Sequence, residues 1–281
     1  MDYIKPTQLV EDVANTGAYK STLSIKDILI KGILSGAFLG FSTTLAYTAA
    51  TETKLGIVGA LVFPVGFVLI LLLGLELVTG NFAMLPLARL KGLTSSKNIA
   101  YNLFWAFVGN LIGSILYGVL FYISATKLGH ISESAIIEKM ISVAEGKTLA
   151  YKELGQDGMI IAVTKAILCN WMVTVGAFMA FVSSSTIGKI AAMWLPVFLF
   201  FAQGFEHAVV NMFVIPTAMM MGADISFSDW WLWNQIPVTI GNFIGGFVFT
   251  GLALHLVYKK KKERLEKVSL VHQTPLKDQA L

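Results

Sequence analysis

Six apolar stretches, near residues 28–48, 56–86, 99–124, 158–182, 190–220 and 232–258, dominate this sequence. About 20 such residues, coiled as a helix, cross about 30 Å of hydrocarbon. What remains is thin in charge: apolar residues make up 56%, charged residues 14%, and mean hydropathy is +0.71. That leaves too little polar surface to coat a water-facing globule. The sequence therefore predicts an all-α integral membrane protein of six transmembrane helices, with the lipid bilayer as its solvent. The net charge of +4 does not point to nucleic acid, because the surplus sits in Lys259–Lys262, Arg264 and Lys267, just past the last apolar stretch. Cys169 is the only cysteine, which excludes a disulfide framework and a thiolate metal cluster. The N-terminal residues lack a charged region followed by an apolar one, so no cleaved signal peptide is expected.

The chain then repeats itself. Lys31-Gly-Ile-Leu-Ser pairs with Lys165-Ala-Ile-Leu-Cys, GLELVTGNFAMLP (Gly74–Pro86) with GFEHAVVNMFVIP (Gly204–Pro216), and NLFWAFVGNLIG (Asn102–Gly113) with NQIPVTIGNFIG (Asn234–Gly245). The three pairs keep their order and lie roughly 130 residues apart, a self-similarity that marks a duplicated architecture. Three spans per half is an odd number, so the halves run oppositely through the bilayer. Such inverted repeats bind their cargo near the midplane, where discontinuous helices meet. The second and fifth stretches are the expected broken helices, interrupted at Thr79-Gly80-Asn81 and at Gly204 with Glu206-His207.

The resulting divisions are a cytoplasmic N-terminal amphipathic segment (1–27), a first three-helix repeat (28–124), an external connecting segment (125–157), a second three-helix repeat (158–258) and a basic cytoplasmic tail (259–281). Lys and Arg concentrate in the termini and the second-to-third and fourth-to-fifth loops, which by the positive-inside rule puts both termini in the cytoplasm. Leu9, Val10, Val13 and Ala14 share one helical face and predict a short helix lying on the cytoplasmic surface. Trp230, Trp231 and Trp233 read as an interfacial aromatic belt, and Gly36, Gly40, Gly109 and Gly113 as helix-packing contacts.

Ionisable groups at membrane depth are costly and so need a partner or a function. They are Glu76, Lys165, Glu206 and His207, with Lys31 nearer one end of its span. His207 aligns with Leu77 of the other half, so the repeat does not demand a histidine there. Its imidazole titrates near physiological pH. It is read as handing a proton to a weak-acid anion or binding the anion, against the plainer role of a neutral histidine bonded to Asn170 or a backbone carbonyl. Lys31 and Lys165 occupy equivalent positions and read as one attracting cation in each vestibule, with Glu76 and Glu206 as their counter-charges, or as lysines snorkelling to the interface. Asn81, Asn211, Asn110 and Asn242 repeat with the halves and are expected to bond backbone freed by the breaks. Phe63, Phe67, Leu77, Val78 and Phe200 are packing residues or apolar constrictions that a bare anion crosses only at a desolvation cost.

GFEHAVVNMF, the LCNWMV segment (Leu168–Val173) and ELVTGN resemble the formate/nitrite transporter family over roughly residues 20–260. The resemblance implies an aquaporin-like protomer, assembly as a homopentamer with one pore in each copy, and no cofactor. It implies passage of formate, nitrite, hydrosulfide, lactate or acetate, together with protons. The family's pore histidine maps to His207 and the adjacent glutamate to Glu206. The asparagine contacting that histidine maps to Asn170, and the threonine at the second-helix break to Thr79. Its vestibule lysines map to Lys31 and Lys165, and its constrictions to Phe63, Phe67, Leu77, Val78 and Phe200. The family's formate channels commonly carry phenylalanine before that threonine; Val78 departs from this and should loosen the constriction.

The expected function is transport of a small monovalent weak-acid anion, formate first, across the cell membrane, with proton coupling or pH gating through His207. An aquaporin-like neutral-solute channel is the rival, but neither break contains Asn-Pro-Ala. A haem-holding membrane subunit needs two histidines at facing depths, and of His130, His207, His255 and His272 only His207 lies mid-membrane.

Overall fold

The computed structural model describes residues 2–259. The basic-tail reading lies, beyond Lys259, outside the described residues. Helix α1 (Pro6–Lys20) precedes the long α2 (Ile25–Thr53). The second apolar stretch is split into α3 (Gly56–Val62), α4 (Pro64–Leu72) and α5 (Val78–Leu90), and α6 (Ser96–Thr126) follows. After α7 (Ala135–Gly146) and α8 (Leu149–Glu153) come α9 (Gln156–Met179), the split pair α10 (Thr186–Ala202) and α11 (Ala208–Met220), and α12 (Phe227–Trp230) and α13 (Ile236–Gly246). The last run also contains π-helical turns at Trp231–Gln235 and Phe247–Leu252. Among the described residues, four helices are long and apolar enough to cross a membrane: α2, α6, α9 and the run Phe227–Lys259.

Local chemistry sets the boundaries. Ser24, Ser95 and Ser185 each cap a helix by accepting a backbone N–H with the side chain. Pro64 fits the first position of α4, where its missing N–H costs no helical bond. The two breaks share one device. Gly74 (φ 62°) and Gly204 (φ 63°) turn the chain through the left-handed region that glycine enters freely. Leu77 (φ −110°, ψ 113°) and His207 (φ −113°, ψ 116°) then lead, extended, into α5 and α11. The first break therefore spans 73–77. Thr79, Gly80 and Asn81 belong to the first turn of α5 rather than interrupting the helix, a correction to the sequence reading.

Helix α1 forms over the expected residues, but its apolar face is covered by protein rather than left for lipid. Val13 and Ala14 are fully buried, because this face packs against α5. At Gly17 a Cβ would collide with the carbonyl of Met84. Helix α7 does the same against α11, burying Ile137, Met140 and Ala144. Trp230 is also buried, its indole N–H donating to Gln235 at 3.2 Å, so it does not belong to an outer belt.

The tightest helix pair is α2 with α6. A Cβ at Gly36 or Gly113 would run into the backbone of the opposite helix. Large side chains face outward along the long helices, among them Phe41, Phe104, Leu120 and Ile160, each more than half exposed. An apolar exterior of this extent matches a lipid surrounding. Gly113→Ala is expected to destabilise by about 1–3 kcal/mol through overpacking. Gly146→Ala, whose Cβ meets nothing within 4 Å, should be neutral. Thermal unfolding in detergent compares them, and equal melting points contradict this account of the α2–α6 seam.

Candidate functional site

Each break is held by two asparagines, a glutamate and a lysine. In the first half, the Glu76 carboxylate takes the Lys20 ammonium on Oε1 at 2.6 Å and the amides of Asn81 (2.7 Å) and Asn102 (3.2 Å) on Oε2. Asn102 also donates to the Lys20 carbonyl at 2.9 Å. In the second half, Glu206 takes Lys147 at 2.9 Å on Oε1 and the amides of Asn211 (2.8 Å) and Asn234 (3.3 Å) on Oε2. Asn234 donates to the Lys147 carbonyl at 2.8 Å. The second half adds the Tyr151 hydroxyl, which donates to Glu206 at 2.8 Å. Burial and then the Glu206 charge push that hydroxyl well above its ordinary range, so it stays protonated and donating.

A further pair ties the breaks to the outer helices. Asn110 accepts from the Val78 N–H at 2.9 Å and donates to the carbonyls of Gly32 (2.9 Å) and Glu76 (2.8 Å). Asn242 accepts from the Ala208 N–H at 2.8 Å and donates to Ala166 (2.8 Å) and Glu206 (2.9 Å). Unwound backbone among apolar helices needs such partners, and the repeated asparagines supply them.

These networks correct one expectation. Glu76 and Glu206 are not the counter-charges of Lys31 and Lys165; Lys20 and Lys147 are. Lys31 sits over the Tyr19 ring at 6.0 Å and Lys165 over the Tyr151 ring at 5.8 Å. Lys20 and Lys147 do not stand out in the sequence, because neither lies in an apolar stretch. A signal was present: Val13-Ala14 and Val143-Ala144 fall in register with the repeat, each shortly before its lysine. The connecting segment of the second half is thus the counterpart of α1, which the apolar repeat alone did not reveal.

Between the clamps, α5 and α11 begin almost face to face. His207 caps α11: its Nδ1 accepts the Val210 N–H at 3.2 Å. Nδ1 is therefore unprotonated and the neutral ring carries its hydrogen on Nε2. Nε2 lies 3.1 Å from Thr79 Oγ1, in the first turn of α5, and donates to it. The Thr79 hydroxyl hydrogen is then free for another acceptor. Asn170 does not bond His207; it donates to the carbonyls of Thr79 (3.0 Å) and Asn242 (2.6 Å), and its Oδ1 is buried without a partner. Both helix N-termini, with first-turn N–H groups that the helices cannot satisfy themselves, converge on the His207–Thr79 contact, an arrangement that favours negative charge.

On the Lys147 side a cavity of about 220 Å³ reaches His207, and Phe200, Phe201, Tyr47, Lys139 and Lys147 contribute to its wall. Phe200 lies flat against the His207 ring (centroids 5.8 Å, 19° between planes) and edge-on to Phe63 at 5.8 Å. Phe63 also stacks on Phe201 at 3.8 Å. Of the five sequence-derived constriction residues only Phe200 lines this cavity; Phe63, Phe67, Leu77 and Val78 are buried outside its wall.

Broken helices meeting at a polar waist are the arrangement in which membrane transport proteins bind their cargo. The chain belongs to the Formate/nitrite transporter family, which it matches over residues 7–256. It is 35% identical to the uncharacterized transporter YrhG of Bacillus subtilis, across 93% of this chain and 96% of that one. It is 32% identical to the formate channel BtFdhC of Bacillus thuringiensis, across 95% and 100%. A solved pentameric formate channel with formate bound superposes with a TM-score of 0.67 at 27% identity, covering 86% of this chain and 97% of that one. An FNT family ion channel shares the fold at a TM-score of 0.76, with 23% identity over 89% of this chain and 99% of that one.

The Lys147–Glu206 pair is nearly enclosed (14% and 1% exposed). Lys147→Met leaves the carboxylate uncompensated and is expected to cost about 3–5 kcal/mol. Lys147→Met combined with Glu206→Gln should cost less, because the amide needs no counter-charge. An equal loss of thermal stability in the single and double variants contradicts that role for the pair.

Proposed function

We propose that the chain is a transporter of a small monovalent weak-acid anion, formate first among them, moving together with a proton past His207. The observation that carries this is the meeting of two helix N-termini at a hydrogen-bond donor pair, His207 Nε2–H and the Thr79 hydroxyl, behind a phenylalanine-walled cavity. The donors and the N-terminal charge suit an anion; the apolar wall opposes one. A proton resolves the conflict. Moving a bare carboxylate into a medium of low dielectric costs tens of kcal/mol in the ideal limit. Protonating a carboxylate of ordinary pKa near 4 costs only about 4 kcal/mol at pH 7. As the anion loses water its proton affinity rises, and it crosses the waist as the neutral acid.

His207 acts in this scheme as a donor from its neutral ring that also takes up and returns the travelling proton. Adding a proton at Nδ1 must displace the Val210 N–H and uncap α11, which ties the ring's charge to the shape of the waist. The names of the formate channels among the relatives support formate as cargo; nitrite, hydrosulfide, lactate and acetate are the alternatives. The matching clamps support two inverted three-helix repeats, and the solved pentameric neighbour supports a homopentamer with one passage per copy. Basic residues at the termini support a cytoplasmic membrane location with both ends inside. Lys31 and Lys165, free of the buried carboxylates, remain available to raise anion concentration at the two mouths.

His207→Asn retains a good capping side chain but neither titrates nor reproduces the ring contact with Phe200. In proteoliposomes its formate flux should rise less steeply than that of the wild type as pH falls from 7 to 5. An unchanged pH profile removes His207 from proton handling.

A further inference from the structure

Tyr47 belongs to none of the assignments above, and its surroundings are unusual. Three tyrosines are buried among the described residues: Tyr47, Tyr117 and Tyr151. A buried phenol normally finds a hydrogen-bond partner, and two of these do. Tyr117 bonds Thr44 at 2.8 Å and Tyr151 bonds Glu206 at 2.8 Å. The Tyr47 hydroxyl has no partner among the described residues, although the residue is only 6% exposed. It lies in the wall of the cavity that ends at His207. The repeat does not call for a hydroxyl here, since the equivalent residue of the second half is Phe181.

The same cavity is also lined by cations. Lys139, Val143 and Lys147 follow one another at four-residue spacing and line the same cavity. Lys147 is committed to Glu206. Lys139 lies in exposed α7 surface and makes no ion pair among the described residues. The cavity wall therefore holds one uncommitted, exposed cation and one uncommitted, nearly buried O–H donor, together with Phe200, Phe201 and His207.

We infer that this cavity is a selective antechamber for small oxyanions, in which Lys139 draws the anion in and the Tyr47 hydroxyl donates a hydrogen bond to it before it reaches Phe200 and His207. This rests on the transport reading above and adds a specificity-determining residue to it. A phenol donates well to a carboxylate or nitrite oxygen and poorly to sulfur, so Tyr47 should favour formate and nitrite over hydrosulfide. The hydroxyl offers the entering anion a replacement for part of its hydration, at a depth where the apolar wall offers none.

Tyr47→Phe preserves the ring and removes only the donor. In proteoliposomes of the full-length protein, the half-saturation concentration for formate should rise about tenfold, the scale of one hydrogen bond to a charged group. Maximal flux and hydrosulfide entry should hold. Lys139→Gln, an exposed change that the fold tolerates, should raise the formate value at low salt, and the difference should fade at high salt. Wild-type formate constants in both variants overturn the antechamber while leaving the transport reading intact. A wild-type protein that carries no small anion overturns both. A tenfold change for formate and hydrosulfide alike also overturns the inference, because it signals loss of cavity shape rather than of a donor.

Discussion

The structure depends on two carboxylates held inside an apolar protein. Interrupting a helix at membrane depth frees backbone N–H and C=O groups that lipid cannot satisfy. Glu76 and Glu206 stand at the two interruptions. Each is neutralised by a lysine from a helix outside the apolar stretches and bonded by two asparagine amides. Neutralisation matters more than attraction here. An ion pair among apolar helices gains little net stability, whereas a lone carboxylate in the same place is strongly unfavourable. The clamps therefore work by making the breaks tolerable and fixing where α5 and α11 start.

Once the starting points of those helices are fixed, the waist follows. The clamps are nearly identical in the two halves, but the centre is not. His207 stands where the first half has Leu77, Thr79 where the second half has Val209, and Asn170 where the first half has Gly36. Repetition supplies the frame and departure from it supplies the chemistry. On one side stands an imidazole whose Nδ1 is engaged in a helix cap. Opposite it, a threonine accepts from Nε2 and keeps its own hydrogen available. Asn170 positions this pair indirectly, through the Thr79 carbonyl.

Much of this was legible in the sequence, for identifiable reasons. Apolar length gives the membrane helices, and the spaced motifs give the duplication and the asparagines. His207, Glu206 and Thr79 stand out because polar groups at membrane depth are expensive. Other parts were hidden. Lys20 and Lys147 sit at the ends of short helices of mixed composition, and nothing local says that their ammonium groups reach buried glutamates. The same-face residues of α1 suit lipid or protein equally, and only the approach of Gly17 to Met84 decides for protein. The sequence points to a break at Thr79-Gly80-Asn81 because those residues are poor helix formers. In the folded chain, Gly74 turns the backbone and Asn110 bonds the first N–H of α5, so those three residues enter the helix.

On the proposed reading, two clamped half-helices frame a passage suited to a protonatable anion rather than to neutral polar solutes. Stopped-flow light scattering of proteoliposomes, comparing formate with glycerol at equal osmotic load, separates the two. Formate should enter far faster than glycerol, and glycerol should enter no faster than into protein-free vesicles. Rapid protein-dependent glycerol entry, with formate excluded, contradicts the account.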